Sequence, residues 1–477
     1  MCGCRCRGRR SEGGQHTVLR SRRSLLGAWC RVAAFIFPHR RQHGITSLYS
    51  HDFERKCAAR FRVNQPLDPK TFTINADRLW SSLMDMARIG ATPKGGVRRI
   101  ALTPEDKAGR DQFVAWCRAA GLAVKVDRMG NIFARRAGTD PDAAPVMSGS
   151  HLDTQPSGGR FDGCYGVMAA LEVCRSLDDY GIRTRAPIEV AVWTNEEGTR
   201  FTPVMEGSGV FAGKFTLEHA RAQKDVDGIS MGDALDSIGY AGDAPIGHPV
   251  AAYFEAHIEQ GPVLEAAGIV IGEVTGGLGQ RWFNLTVTGM EAHAGPTPMR
   301  LRRDALQGAT SIMQAIDALG RTSPDTRATV GYVKVEPNSR NVIPGRVTFS
   351  ADLRAATLAE LATLEAGMRE AATRICRERA LEIDIEQTVE FPPTPFAPEC
   401  RAAVRDAATR LGYAQMPLVS GAGHDAIYLA SVCPAGMIFV PCKDGISHNE
   451  IEDARAEHLA AGANVLLHAM LERAGVA

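Results

Sequence analysis

The sequence predicts an α/β fold: a large α/β domain interrupted by a smaller β-α-β-β-α-β domain of ferredoxin-like order. Three observations predict it. Beyond residue 70, segments of period-two hydrophobicity alternate with segments of helical period. The composition, 44% hydrophobic and 23% charged, matches an average soluble enzyme and gives ample core. The stretch 281–389 reads strand, helix, strand, strand, helix, strand as a unit of its own.

The elements follow in order. Ala144 to Ser150 is an apolar strand running into His151. Residues 163–177 follow Gly163 and carry Val167, Met168, Leu171, Cys174 and Leu177 at helical spacing. Ile188, Val190 and Val192 alternate as a strand that ends at Asn195, and Tyr253 to Glu259 forms another. In the smaller module, Phe283, Leu285 and Val287 mark a strand over 281–289, and a helix spans 301–319. Strands follow near 328–336 and 346–354, then a helix over 357–379 and a strand over 382–389. Residues 436–441 form a buried strand and 455–473 an apolar-faced helix. The expected domains are a catalytic part over 71–264, the insertion over 265–392 and a second catalytic part over 393–477. Gly261-Pro262 and Pro392-Pro393-Thr394-Pro395 suit the hinges.

The net charge of +1 hides an asymmetry. Residues 1–60 carry +10, which leaves −9 for the rest. Residues 1–70 are expected to be an Arg-rich extension, disordered or non-native, with the look of a transit peptide. Leu25 to Phe37 is apolar but too short for a membrane span, which needs about 20 residues. Lys+Arg 55 against Asp+Glu 54 disfavours a globally basic nucleic-acid binder. Neither nucleic acid nor membrane is an expected partner. Seven cysteines of the body are scattered in apolar runs, which suits buried thiols in a reducing, cytoplasmic setting.

No G-x-S-x-G, H-E-x-x-H, P-loop or complete G-x-G-x-x-G occurs. Instead, five short stretches place His, Asp and Glu at the ends of expected strands. They contain His151 and Asp153; Asp162; Glu196 and Glu197; His257 and Glu259; and His448 and Glu450. Ligands gather beyond the carboxyl ends of strands in an open α/β sheet. Imidazole and carboxylate suit zinc, manganese or cobalt. His151 and Asp153 share one face of an extended strand, so Asp153 can orient the His151 ring. Adjacent Glu196 and Glu197 diverge if extended, so one can ligate while the other acts as general base. Each piece alone also fits a turn or a solvated acidic pair; the joint pattern carries the weight.

The chain resembles the hydantoinase/carbamoylase amidases, within the aminoacylase and carboxypeptidase-type dimetal metallopeptidases. The resemblance rests on GSHLDTQPSGGRFDG, TNEEGTRF, AHIEQGPVLE, GMEAHAGPTPM, NSRNVIPG, SGAGHDA and GISHNE, in the family's order over about 75–475. It implies two divalent metal ions, zinc first, with manganese, cobalt or nickel as alternatives. Asp162 matches the bridging carboxylate, His151 and His257 the further ligands of one metal, and Glu197 and His448 those of the other. His257 stands where many relatives in the wider clan carry Asp. Glu196 matches the general base. The inserted domain is then a dimerisation and lid domain. Its His293 matches a residue that reaches the partner subunit's site in a homodimer. Asn341 and Arg354 match residues that hold a substrate carboxylate; Gln260 and His424 are further pocket residues.

The implied activity is hydrolysis of N-carbamoyl-L-amino acids to amino acid, carbon dioxide and ammonia. Allantoate amidohydrolase, β-ureidopropionase and ureidoglycolate-type activities use the same machinery on other small ureido carboxylates. An aminoacylase, a dipeptidase and a non-catalytic metal-binding protein are remoter alternatives.

Overall fold

The computed structural model describes residues 72–477. The expectation for 1–70 lies outside the described residues.

The large unit opens with helices α1 (Ala76–Ala87) and α2 (Pro104–Ala119). Asn75 and Thr103 cap them, each accepting a backbone N–H of the first turn. Strands β1 (Ala123–Val126), β2 (Ile132–Arg136) and β3 (Val146–His151) follow. Helix α3 (Cys164–Asp179) then leads to β4 (Ile188–Trp193) and β5 (Ala252–Ile258). After β6 (Ile271–Gly277) the chain leaves for the insertion. It returns through β14 (Thr394–Pro395), a helix at Pro398–Leu411, β15 (Gln415–Ser420), β16 (Ala435–Val440) and a last helix at Ala456–Ala474.

The large sheet runs β1-β2-β4-β3-β5-β16-β6-β14, with β15 on β6. Its centre, β4-β3-β5-β16, is parallel. These four strands are buried along their whole length. That explains their continuous apolar runs, as both faces are covered by helices and loops. Helix α3 is buried almost all round, between the sheet and the last helix. Parallel strands point their carboxyl ends the same way, so His151, Thr194–Glu197, His257–Gln260 and Pro441–His448 converge at one rim.

The insertion contains β7 (Gly279–Thr288), β8 (Ala292–His293) and a helix at Ala305–Gly320. It continues with β9 (Arg327–Thr329), β10 (Val333–Glu336), β11 (Val342–Ile343) and β12 (Arg346–Ala355), then a helix at Leu358–Glu378 and β13 (Glu382–Phe391). Its antiparallel sheet has the order β10-β12-β7-β13, the expected split βαβ arrangement. Phe283, Leu285, Val287, Val347, Phe349, Ala351 and Leu353 build a core separate from that of the large unit.

Two expectations need correction. The insertion starts at Gly279, not at 265, because β6 pairs with β16, β15 and β14 of the large sheet. The crossing points are therefore Gly277 to Gly279 and Phe391 to Thr394, and Gly261-Pro262 is no hinge. The single strand near 328–336 is two short ones, β9 and β10, both pairing with β12.

Candidate metal centre

His151 ends β3, and its ring is buried. Its Nδ1 lies 2.9 Å from the carbonyl oxygen of Asp153. A carbonyl only accepts, so Nδ1 carries the proton and Nε2 presents a lone pair. His257, near the end of β5, repeats this with Ile258, at 2.8 Å. Both rings are thus fixed in the tautomer a metal ligand requires.

Asp162 sits in the loop before α3. Its Oδ1 is 3.2 Å from His257 Nε2 and 3.9 Å from His151 Nε2, and its Oδ2 is 3.3 Å from His448 Nε2. Gln260 Nε2 donates to the same Oδ2 at 3.0 Å. Gly163 must be glycine: its φ is +64°, and a Cβ there would meet the His151 ring. Glu197 Oε2 lies 3.4 Å from His448 Nε2, and Glu196 Oε2 lies 3.4 Å from His151 Nε2. Three donor groups result, each with ligand atoms within 4.8 Å of one another: His151–Asp162–His257, Asp162–Glu197–His448 and Glu255–His257–His424. The first two share Asp162, and the third joins the first at His257. A 220 Å³ cavity opens on the first two, lined also by Gln155, Gln260 and His424.

The electrostatics favour positive charge here. Burial first, then the carboxylates of Asp425, Glu197, Asp153 and Asp162, pushes Glu196 well above the ordinary carboxylate range. Burial and Asp162 push Glu197 up to about 8. Burial also opposes ionisation of Asp162, but the imidazoles of His257 and His448 outweigh it and hold that carboxyl well below its usual value. Burial pulls His151 down to about 4, so its ring is neutral. Imidazole and carboxylate donors around buried, crowded acids fit a pair of divalent cations.

Asp153 differs from expectation. Its carboxylate is 4.0 Å from His151 Nδ1 and instead accepts the backbone N–H groups of Glu196 and Glu197, each at 3.3 Å. The main chain of Asp153 orients the ring, and its side chain fixes the Glu196-Glu197 turn. That turn is not extended: Asn195 has φ +55°, held by side-chain bonds from its amide to Phe201 O and Glu206 Oε2. Gln260 and His448 are left-handed as well, at +55° and +53°. Three non-glycine residues in this region within one site are a concentration of strain.

His424 is buried, and its Nε2 has no hydrogen-bond partner. Arg354, at the end of β12, lines a second cavity of 590 Å³ that shares Ala422 and Gly423 with the first. Its guanidinium is anchored on Asp352 and on the carbonyl of Gly421. His293 and Asn341 lie together on the β8–β11 ribbon, with Ala294 N–H donating to Asn341 O at 2.9 Å. Both are exposed, and neither lines the cavity over Glu196. Sequence reasoning missed Gln155, which donates to Glu197 through its backbone and its side chain, and Glu452. The only local signal for Gln155 was its place two residues after Asp153.

Residues 147–472 match Peptidase family M20/M25/M40. The chain belongs to that family. Its members are dimetal hydrolases, and the structure holds candidate groups of metal-binding residues. A protein of Rhizobium meliloti named N-carbamoyl-L-amino-acid amidohydrolase is 50% identical over 405 residues, covering 84% of this chain and 97% of that one. An allantoate amidohydrolase of Bacillus subtilis is 34% identical over 385 residues, covering 80% and 93%. The crystal structure of a hydantoinase/carbamoylase family amidase from Burkholderia multivorans is 58% identical, with a TM-score of 0.83, covering 85% of this chain and 99% of that one. Among the described residues, no helix is long and apolar enough to cross a membrane.

Proposed function

We propose that the protein hydrolyses N-carbamoyl-L-amino acids to the amino acid, carbon dioxide and ammonia. The observation that carries this is Asp162 shared by two donor groups, with Glu196 beside them but in neither. Asp162 would bridge the cations, His151 and His257 would complete one site, and Glu197 and His448 the other. Zinc, manganese, cobalt and nickel all accept these donors. When bound, the cations supply Lewis acidity, acidifying water and polarising the ureido carbonyl.

The chain's own groups do the rest. Glu196 takes a proton from the attacking water and passes it to the leaving amino-acid nitrogen. Arg354 keeps two of its five N–H groups for a substrate carboxylate, with Asn341 as a second donor. His293 stabilises the developing oxyanion, and its distance from the cavity is met by a homodimer in which it serves the partner's site. The buried free thiols of the body support a reducing, cytoplasmic setting.

Ammonia release from N-carbamoyl-L-methionine, N-carbamoyl-β-alanine and allantoate, by metal-stripped protein reconstituted with Mn²⁺, Co²⁺ or Zn²⁺, tests this reading. Turnover of the carbamoyl α-amino acid is expected. Preference for allantoate, the substrate named for relatives at 34% and 36% identity, would move the assignment while keeping the chemistry. Silence on all three with two cations bound would overturn it.

A further inference from the structure

Glu452 lies four residues beyond His448, in an irregular segment, and is 1% exposed. Its Oε1 accepts the backbone N–H of Phe161 at 2.9 Å and of Asp162 at 3.2 Å. Its Oε2 accepts the Ser447 hydroxyl at 2.8 Å, and that hydroxyl also lies 3.2 Å from Asp162 Oδ2. One carboxylate therefore ties together two loops that are distant in sequence. The first loop carries the shared acid Asp162; the second carries His448.

The neighbourhood is built around this tie. A Cβ on Gly159 would land on the Glu452 carboxylate, which cannot withdraw without giving up its three bonds. Arg160 pairs with Asp453 at 2.9 Å alongside it. The dependence is unequal across the centre. His151 and His257 sit on β3 and β5, in the middle of the sheet, with their Nδ1 atoms bonded to backbone carbonyls. His448 has no strand beneath it, and its side chain is 52% exposed.

We propose that Glu452 is a positioning residue. It sets the separation of Asp162 and His448, and hence the affinity of the cation site formed by Asp162, Glu197 and His448, while the site formed with His151 and His257 depends on it little. The inference rests on the ligand assignment above. Loss of a supporting partner of this kind typically costs about 10–100-fold in metal affinity.

The test is Co²⁺ titration of the full-length apoprotein, read by visible absorption and bound stoichiometry. Wild type is expected to bind two Co²⁺; fewer than two would sink the ligand assignment and not the role of Glu452 as such. Glu452→Met should weaken the second Co²⁺ about 10–100-fold and leave the first within a few-fold. Glu452→Gln keeps one acceptor oxygen for the Phe161 and Asp162 N–H groups and should restore most of that loss. Ser447→Ala removes the link from Glu452 to the His448 loop and the hydroxyl beside Asp162 Oδ2, but leaves the bonds from Glu452 to Phe161 and Asp162; it should weaken the second ion more than the first, and it carries the test if Glu452→Met does not fold. Wild-type affinity in Glu452→Met or Ser447→Ala, or equal loss of both ions, would overturn the proposal.

Discussion

The large unit and the inserted domain hold their chemical residues in opposite ways. Around Asp162, the residues His151, Glu196, Glu197 and His257 are all less than a tenth exposed, and most are held by backbone or side-chain bonds. On the β8–β11 ribbon, His293 is exposed on a two-residue strand and Asn341 is exposed in the turn just before the other. The first set is organised within one chain at the ends of parallel strands. The second is presented outward, toward whatever packs on the ribbon. The contrast teaches that the donor groups around Asp162 are assembled by the large unit itself, whereas His293 and Asn341 face solvent. Under the proposed function, grip on the substrate then draws on a second surface.

The sharpest way to break that division is at Glu196. Glu196→Gln should lower kcat about 10²–10⁴-fold, measured by ammonia release, while both cations stay bound. Retained turnover would remove Glu196 from proton transfer. His448→Ala should cut bound metal from two ions to one at micromolar cation, by an affinity loss beyond the ~10–100-fold of a supporting partner. Unchanged stoichiometry would mean that the second donor group is not a site.

Most of this centre was legible in the sequence because its chemistry sits where strands stop. His151, Glu196, Glu197, His257 and His448 go with the apolar runs of β3, β4, β5 and β16, whose parallel pairing brings them to one rim, and Asp162 joins them from the loop between β3 and α3. The module order of the insertion was legible for the same reason: Phe283, Leu285 and Val287 alternate cleanly over a one-sided core. What escaped depends on contacts that have no period. β6 was assigned to the wrong domain because a strand's pairing partners do not show in its own residues. The Asp153 carboxylate turned to two backbone N–H groups because Asn195 adopts φ +55°, which no alternation pattern reveals. Glu452 drew no notice in the sequence, because nothing in its own neighbours shows that the 158–163 loop folds over it and buries it.

A smaller effect sharpens the account of the large unit's buried acids. Glu206 is fully buried, with one carboxyl oxygen unpartnered and the other accepting from Asn195. Burial pushes its carboxyl up to about 8, against the pull of that amide. A buried acid raised in this way keeps a proton that the unfolded chain has released. Its contribution to stability is complete below the ordinary value of 4.5 and is lost as pH rises through about 8. The Tm of the cation-free protein should therefore fall across that window, and Glu206→Gln should flatten the slope. A slope unchanged in Glu206→Gln would place the titration elsewhere.

The most direct test of the central division mixes two inactive proteins. Glu196→Gln lacks the base but offers His293; His293→Ala has the base but lacks the donor, and should itself be about 10²–10³-fold slow. Unfolding and refolding them together lets their subunits exchange. If His293 serves the partner's site, half of the dimers carry one complete site, and ammonia release from N-carbamoyl-L-methionine should return to about a quarter of wild type. Activity no higher than the sum of the two variants would contradict the account.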